Sequence, residues 1–458
     1  MDYSSSKTPA LMQVGSHAEL APIQPRYGSV YGGEKVVFNG ENLNGSGVEV
    51  FIDDKPCTIS KRNNQKIECT TADRPFVEGL EPKLSIYVDG KGYAATRGQV
   101  YRYVSKWSDK RTWGNDLLPV EGEALVIPAG QHLLVDVPVV PRLSFALVQG
   151  SLIFDSEERH WMQRTFDADH ILVYGGYMEI GTEEAPYTSK LTITLHGDET
   201  DPYLPVFGNK VLGVLNGQLE MHGKPRDHVW SELYETADVG AKSIVLNIPA
   251  GSDFDWAVGE KIVIASTDFD GTHAEEREII KVEVDSASGN RKVSFADELL
   301  YKHYAGVQTF GDEQLEMRAE VGLLSRNVVF RGDEQTSSQN KYGAQIMLSS
   351  HGNESSIGRI ENCELFDVGQ AFKLARYPIH FHMLGNVNKS YIKNNSIHQT
   401  YNRATTLHGV HYLTVSGNVA YKTMGHAIFL EDAIETNNLI ENNLVIDVRA
   451  SNSLLNTD

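Results

Sequence analysis

The chain has 458 residues, a formal charge of −20, 41% hydrophobic residues and 22% charged residues. This composition is typical of folded globular proteins, and the length predicts about two to four domains. The negative charge argues against nucleic acid and anionic membranes as partners, because both bind basic surfaces. No apolar run reaches the ~18 residues of a membrane span. The N-terminal stretch lacks the basic start and apolar centre of a signal peptide.

The first part of the chain predicts a tail followed by a β-sandwich. Residues 1–18 are polar and small, which indicates a flexible tail. Residues 19–104 contain short strand-like runs separated by turn residues, a pattern typical of an immunoglobulin-like sandwich. Cys57 and Cys69 lie twelve residues apart within such runs and are expected to form a disulfide, with two reduced core thiols as the alternative. Cys363 is expected to be a buried free thiol.

The middle of the chain is predicted to be β structure without long helices. Residues 105–235 contain β runs that end in glycine or in a Pro-Ala-Gly turn, which fits tight reversals. Residues 236–320 are predicted to be a β-rich connecting region. No segment shows the periodicity of a long amphipathic helix.

Residues 321–458 contain a repeat. Ile360, Ile392, Val415 and Ile440 occupy equivalent positions, at steps of 32, 23 and 25 residues. Short strands at such periods predict a β-solenoid. The asparagines that follow in register are expected to form an internal ladder: Asn395, Asn418 and Asn443. No polar cap is visible at the C-terminal end, so the natural protein is expected to continue beyond residue 458.

The repeat brings histidines and carboxylates together. His408 follows Asn395 by thirteen residues, and Glu431 follows Asn418 by thirteen, so these side chains should stack on neighbouring coils. His382 is expected to join them one coil earlier. Two histidines and a carboxylate suit zinc or another transition metal, but they also suit metal-free acid–base catalysis or a structural polar column. The candidate catalytic residues are His222, His380, His382, His408, His426 and Glu431.

Three stretches carry a family resemblance. The opening from Pro25 to Leu43 together with the pair Cys57 and Cys69 resembles an IPT/TIG domain. Segments such as EGEALVIPAG, VQGSLIF and FGNKVLGVLNGQLEMHGKP resemble the eight-glycine (G8) domain of fibrocystin, fibrocystin-like proteins and the cell-migration-inducing hyaluronan-binding family. The segments RYPIHFH, LHGVH and GHAIFLED are similar to parts of the same family.

The resemblance implies an all-β fold: an N-terminal immunoglobulin-like sandwich, a glycine-rich β domain and a right-handed parallel β-helix. It implies an extracellular or cell-surface module of a longer exported protein that binds protein or glycan. The alternative is a hyaluronan-type hydrolase or lyase, since some relatives degrade hyaluronan and the stretch around His222 resembles the part implicated there. An arginine expected near 183–190 in degrading members is absent from EEAPYTSK.

Two further expectations concern chemistry. Glu431 and Asp432 are adjacent, so within a strand they would face opposite sides and could not act together as an acid–base pair. The loop STDFDGTHAEERE, at residues 266–278, carries five carboxylates. Such oxygen-rich loops suit calcium, but a solvated acidic loop is the preferred interpretation because no D-x-D-x-D-G spacing is present.

Overall fold

The computed structural model describes residues 19–20, 23, 25–74, 83–96, 100–115, 117–154, 163–352 and 356–451. The predicted tail, residues 1–18, lies outside the described residues. The described chain is almost entirely β, as predicted. It divides into two compact units: residues 1–118, 127–136 and 150–159 form the first, and residues 119–126, 137–149 and 160–458 form the second.

The N-terminal part of the first unit is a β-sandwich of two four-stranded sheets, ordered β1-β3-β7-β6 and β5-β4-β8-β9. In β3 the inward residues Val36 and Phe38 are fully buried, while their neighbours along the strand are more exposed. Cys57 and Cys69 are bonded to each other within this core, with Cα atoms 5.5 Å apart. The strands are β1 Glu19–Leu20, β2 Tyr27–Ser29, β3 Lys35–Glu41, β4 Val48–Ile52, β5 Lys55–Pro56, β6 Thr58–Arg62, β7 Lys66–Thr70, β8 Leu84–Val88, β9 Gly92–Tyr93 and β10 Arg102–Lys106.

Short strands of four to six residues fill the glycine-rich region, which follows a 3-10 helix at Lys110–Trp113. Gly181 shows why glycine is needed at one of its turns: its φ is +69°, and a Cβ there would lie 2.3 Å from the Tyr187 amide nitrogen. The strands are β11 Ala124–Ile127, β12 His132–Val135, β13 Val139–Leu143, β14 Phe145–Val148, β15 Ser151–Phe154, β16 Gln163–Ala168, β17 Ile171–Tyr174, β18 Tyr177–Ile180, β19 Lys190–Leu195, β20 Val211–Leu215 and β21 Gln218–His222.

A second group of strands forms a small β domain of its own, here called the insert domain, at residues 230–323. Its two main sheets, β22-β30-β24-β25 and β23-β27-β26, enclose a separate apolar core. The region predicted to be a connection therefore has an apolar core of its own, and its residues Val263 and Ala265 also pack on the β-helix residues Val419 and Tyr421. Its elements are β22 Trp230–Glu232, β23 Ser243–Pro249, β24 Lys261–Ile264, a 3-10 helix at Gly271–His273, β25 Glu275–Glu278, β26 Lys281–Val284, β27 Asn290–Ser294, β28 Ala305–Phe310, β29 Glu313–Arg318 and β30 Glu320–Leu323.

The remaining strands build a parallel β-helix. Each coil contributes one strand to each of three sheets. The remaining elements are β31 Val328–Gly332, α1 Glu334–Asn340, β32 Gln345–Ser349, β33 Ile357–Glu361, β34 Cys363–Val368, β35 Ile379–Asn386, β36 Tyr391–Lys393, β37 Ser396–Thr400, β38 Thr405–His411, β39 Thr414–Ser416, β40 Val419–Met424, β41 Ile428–Leu430, β42 Leu439–Glu441 and β43 Leu444–Arg449.

Within the second unit the three sheets run parallel. Their strand orders are β18-β21-β33-β36-β39-β42, β14-β17-β20-β32-β35-β38-β41 and β13-β16-β19-β31-β34-β37-β40-β43. In the second of these sheets, Leu348, Phe381 and Leu407 stack inside the helix and are fully buried. Because side chains alternate along a strand, the residues between them project from the outer face of this sheet.

The predicted asparagine ladder is confirmed. The Oδ1 atom of Asn395 accepts the amide of Cys363 at 2.9 Å, Asn418 accepts the amide of Asn395 at 3.0 Å, and Asn443 accepts the amide of Asn418 at 3.0 Å. Each Nδ2 group donates to a carbonyl of an earlier coil, for example from Asn418 to Ile392 at 2.9 Å. The ladder satisfies buried backbone groups and fixes the coil register.

Candidate metal centre

The predicted column lies on the outer face of the second sheet. His382 of β35 pairs directly with His408 of β38. The amide of Glu431 donates to the Leu407 carbonyl at 3.0 Å, which places Glu431 one coil beyond His408. The register deduced from the repeat is therefore present, and three successive coils each contribute one member of the column.

His380 lies beside this column, and its side chain contacts the side chains of the column. Its side chain is fully buried, and its ring stacks parallel to that of His408 with centroids 5.8 Å apart. Tyr377, from the loop before β35, packs against it at 4.9 Å. Burial, with a further contribution from His382, holds the pKa of His380 well below its usual range, so this imidazole is neutral at pH 7.

One atom from each of His380, His408 and Glu431 converges on a common point, and these three residues are called the metal cluster below. The three atoms lie within 4.8 Å of one another. Oε2 of Glu431 is 3.8 Å from Nε2 of His380 and 3.5 Å from Nδ1 of His408. All three atoms are buried and have no hydrogen-bond partner among the described residues. Such groups cost free energy unless something binds them.

The opposite nitrogen of each histidine is engaged. Nδ1 of His380 lies 3.2 Å from the Ala375 carbonyl, which can only accept, so this nitrogen carries the proton and Nε2 keeps its lone pair. Nε2 of His408 lies 3.0 Å from Oδ2 of Asp432. A neutral His408 that donates to this carboxylate presents its Nδ1 lone pair to the cluster. Outer carboxylate and carbonyl partners orient metal-ligating histidines in this way.

His382, a predicted metal ligand, does not contribute to the converging set. Its ring lies 5.0 Å from His380 and 4.9 Å from His408, both edge-on, and its Nδ1 faces the Ser349 hydroxyl at 3.5 Å. The physical reason is that the column fixes the Cα positions but not the side-chain rotamers, and the buried His380 occupies the inner place. Burial, and then His408, lower the pKa of His382.

A buried arginine lies on the inner side of Glu431. Nη1 of Arg403 is 3.8 Å from Oε1 of Glu431 and donates to the Tyr377 hydroxyl at 2.9 Å. Its guanidinium also stacks on Phe429 at 4.0 Å. Arg403 therefore holds one carboxylate oxygen of Glu431, while the other oxygen faces the two histidines. Sequence reasoning did not identify Arg403 or Tyr377, because neither belongs to a motif with a known ligand spacing.

Glu431 and Asp432 contact the same imidazole from two sides, contrary to the prediction that they face apart. Strand β41 ends at Leu430, so strand alternation does not apply to the two acids that follow it. Glu431 approaches Nδ1 of His408 and Asp432 approaches Nε2. One acid is thus directed into the metal cluster and the other supports it from behind.

His426, another candidate, is not among the converging residues. Its ring packs against Phe429, with centroids 4.7 Å apart. Its Nδ1 is buried without a hydrogen-bond partner among the described residues, but it does not belong to the group that could hold a metal ion. His426 therefore contacts Phe429 and lies outside the converging set.

His222 lies in a separate cluster on the first sheet, here called the bridged cluster: Glu220, His222 and Glu361. Nε2 of His222 is 2.6 Å from Oε2 of Glu220, and Nδ1 is 3.8 Å from Oε2 of Glu361. The other oxygen of Glu220 accepts from Arg359 at 2.8 Å and from Gln218 at 2.6 Å. Burial lowers the pKa of His222, but the two glutamates outweigh it and the pKa is raised.

The predicted acidic loop at 266–278 contains the 3-10 helix Gly271–His273 and ends in strand β25, Glu275–Glu278. Asp268 contacts Nδ1 of His273 at 2.7 Å, and Asp270 accepts the amide of Thr272 at 2.9 Å. Glu275 is buried and accepts the amides of Leu300 and Tyr301, both within 3.0 Å. The carboxylates of Asp268, Asp270 and Glu275 are thus engaged by groups of the protein.

Comparison with known proteins gives matches along most of the chain. Three family models match: the IPT/TIG domain at residues 19–103, the G8 domain at 112–234 and the CEMIP β-helix at 341–458. Human fibrocystin-L is 36% identical over 496 aligned residues, which cover 100% of this chain and 11% of that protein. The chain is fibrocystin-like in sequence over its whole length.

Other similarities are more partial. Protein rliB of Dictyostelium discoideum is 30% identical over 79% of this chain and 31% of its own length. The plexin A4 extracellular region is 32% identical over 19% of this chain, with a TM-score of 0.17, which supports no argument about the fold. The fibrocystin-like chain thus spans about a tenth of the length of human and mouse fibrocystin-L, 11% of each.

These domains, together with a disulfide of the kind that persists in oxidising compartments, are those of an extracellular module. Among the described residues, no helix has the length and apolar character needed to cross a membrane.

Proposed function

We propose that this chain is a metal-dependent extracellular binding module whose β-helix holds one divalent transition metal. The observation that supports the proposal is the convergence of three buried, unbonded ligand atoms from His380, His408 and Glu431. Four-coordinate zinc with bonds near 2.0–2.2 Å needs ligand atoms about 3.3–3.6 Å apart. The separations from Glu431, 3.5 and 3.8 Å, are close to this range, and all three ligand atoms lie within 4.8 Å of one another, so metal binding would draw them together.

The ligand chemistry favours zinc over calcium. Imidazole nitrogens suit zinc and other late transition metals, whereas calcium takes six to eight oxygen ligands. Two of the three converging atoms are imidazole nitrogens. Glu431 and Asp432 also place two carboxylates beside these rings, which attracts a divalent cation.

Three protein ligands leave further coordination positions for an external group, as in zinc sites that act on ligands rather than in closed structural sites. His408 and Glu431 are partly exposed, at 20% and 17% of their side-chain surface. Asp432 and His382 lie beside them. We therefore propose that an oxygen donor from an extracellular protein or glycan completes the coordination, so that binding of this ligand depends on the metal.

A second candidate is metal-assisted cleavage of a hyaluronan-type polysaccharide. The neutral His382 beside the cluster favours it, because a metal-bound water needs a neighbouring base. The same metal would serve both functions. They differ in whether the polysaccharide becomes shorter.

The test begins with chelator-treated protein titrated with Zn²⁺ and, separately, with Ca²⁺ by calorimetry. We expect one zinc per chain and much weaker calcium binding. His408→Ala and Glu431→Ala should lose the zinc while the chain remains folded by circular dichroism. His351→Ala removes an exposed histidine outside the cluster and should retain the zinc. Retention of zinc by both cluster variants, or its absence from the wild type, would reject the proposal.

The two functions are then separated with zinc-loaded protein and labelled hyaluronan of high molecular mass. Zinc-dependent binding without a change in polymer length supports a binding module. Shortening that disappears with chelator and in His408→Ala supports the enzyme. Binding or shortening that is unchanged by chelator contradicts a role for the metal in either function.

A further inference from the structure

A cavity of about 430 Å³ lies between the outer face of the third sheet of the β-helix and the insert domain. On the sheet side it is lined by Gln163, Lys190 and Thr192, and on the insert side by residues 255–260. The volume falls in the range of small-molecule binding sites. The cavity is separate from the metal cluster and shares no residue with it.

The acidic side chains that line this cavity are already bonded to basic or amide groups of the protein. Arg226 donates to Asp255 at 2.7 Å and holds both oxygens of Glu260, at 2.7 and 2.9 Å. Glu364 is 3.1 Å from Nε2 of His398 and accepts the amide of Arg326 at 3.0 Å. These carboxylates are therefore poorly placed to bind an incoming group.

The lysines that line the cavity are not bonded in this way. Lys190 and Lys224 are exposed, and neither has an ion-pair or side-chain hydrogen-bond partner among the described residues. The side chains of Gln163 and Thr192 likewise have no hydrogen-bond partner in the described part of the chain. The groups available to a ligand are thus two ammonium groups, one amide and one hydroxyl.

A buried guanidinium adds to the positive charge. Arg326 is 6% exposed and donates to the carbonyls of Leu323, Ser325 and Asn394, with no carboxylate in contact with its guanidinium among the described residues. Burial lowers its pKa to about 10, so it remains charged at pH 7. A buried charge that is bonded only to carbonyls leaves a positive field in the adjoining space.

We propose that this cavity binds a small oxyanion-bearing ligand, a carboxylate or sulfate carried on a body the size of a sugar. Lys190 and Lys224 contact the anion, and Gln163 and Thr192 bond to the hydroxyl groups of the body. The chain carries a formal charge of −20, so attraction of an anion depends on this local arrangement and not on the overall charge. The site is independent of the proposed metal function.

The experiment uses the whole chain and calorimetric titration at low ionic strength. The probes are glucuronate, glucose 6-sulfate, glucose and inorganic sulfate. We expect both anionic sugars to bind, with affinity that falls as salt is added, and glucose to bind much more weakly. Equal binding of glucose and glucuronate would overturn the proposal. Inorganic sulfate that binds as tightly as the sugar sulfate would overturn the role of the sugar body.

Charge variants test the location. In Lys190→Gln/Lys224→Gln, binding of glucuronate should weaken roughly 100-fold, because two charge-assisted hydrogen bonds are lost. The matched control Lys110→Gln/Lys389→Gln removes two exposed lysines that do not line the cavity. It changes the net charge equally and should bind like the wild type. All four positions are on the surface, so circular dichroism should be unchanged. Equal weakening in both double variants, or in neither, contradicts the site.

Discussion

Two histidine–glutamate clusters on the β-helix use the same residue types in opposite ways. In the bridged cluster, His222 is 1% exposed and lies between Glu220 and Glu361, with Arg359 behind. In the metal cluster, a nitrogen of each histidine and an oxygen of the glutamate have no hydrogen-bond partner among the described residues. Satisfied polar groups stabilise a fold, whereas buried groups with free lone pairs destabilise it until a ligand binds.

The comparison shows what distinguishes a histidine with both ring nitrogens engaged from one with a free ring nitrogen in this chain. Burial does not separate them, because His222 and His380 are both almost completely buried. The two histidines differ in the groups that their ring nitrogens face. Both ring nitrogens of His222 face carboxylates, and its raised pKa favours the protonated ring. His380 is held neutral, with one nitrogen bonded to a carbonyl and the other without a hydrogen-bond partner among the described residues.

The largest expected loss of stability comes from a substitution in the bridged cluster. Glu220→Gln removes a buried carboxylate that faces His222 and Arg359, and should cost about 3–5 kcal/mol of unfolding free energy. Glu431→Gln in the metal cluster, measured without zinc, should cost less, because Oε2 has no hydrogen bond to lose and the amide oxygen of Gln can still accept from Tyr377 beside Arg403. Urea unfolding in the presence of chelator measures both. Equal costs would mean that the two clusters are equally structural.

Zinc should raise the free energy of unfolding only in chains whose metal cluster is intact. At free zinc of 100 times its dissociation constant, the wild type should gain about 2.7 kcal/mol. Glu220→Gln should gain the same amount, although its unfolding free energy without zinc is lower. Glu431→Ala should gain nothing. Thermal unfolding with and without zinc measures this gain. A zinc-dependent shift in Glu431→Ala would place the metal elsewhere.

A smaller effect is expected from the carboxylate behind His408. Asp432→Asn keeps the shape but weakens the hydrogen bond that orients the ring, and zinc affinity should fall about 10- to 100-fold. Asp447→Asn is a control, because Asp447 also lies on the β-helix but bonds to Arg449 at 2.9 Å. Calorimetry gives both affinities. If Asp432→Asn binds zinc like the wild type, Asp432 has no orienting role.

The smallest effect concerns pH. The pKa of His222 is raised in the folded chain above its usual value of 6.5. Its contribution to stability is therefore fully present below pH 6.5 and is lost as the pH rises through the folded pKa. His222→Gln should remove this part of the pH dependence, which unfolding curves from pH 5 to 9 can measure. A stability that rises over the same range because of His222 would contradict the assignment.

The sequence predicted the backbone of the site better than its side chains. Equal offsets from Asn395 and Asn418 predicted the stacking of His408 and Glu431, because the ladder fixes register. The same reasoning chose His382 as the third ligand. The choice between His380 and His382 depends on rotamers and on the loop that buries one ring, and neither follows from strand periodicity.

The insert domain and Arg403 show a second limit. Short strands predicted β structure in residues 236–320, but the separate core around Leu246 and Ile262 depends on contacts between distant segments. Arg403 reaches Glu431 across one coil, and nothing in YNRATT indicates that this arginine is buried. The pattern of short strands and turns was enough to predict the fold class. The buried polar contacts depend on the three-dimensional structure and could not be predicted from that pattern.

The asparagine ladder has a consequence for how this β-helix can vary. Its steps are 32, 23 and 25 residues, yet each rung makes the same amide contact at 2.9–3.0 Å. Much of the extra length of the long coil lies in residues 369–378, between β34 and β35, where the next coil has only residues 401–404. That longer corner supplies Ala375 and Tyr377 to the metal cluster. An insertion at one corner can therefore add side chains to a site while the ladder keeps the register of the other coils. The sequence and length of the corner loops can change without a change in strand pairing.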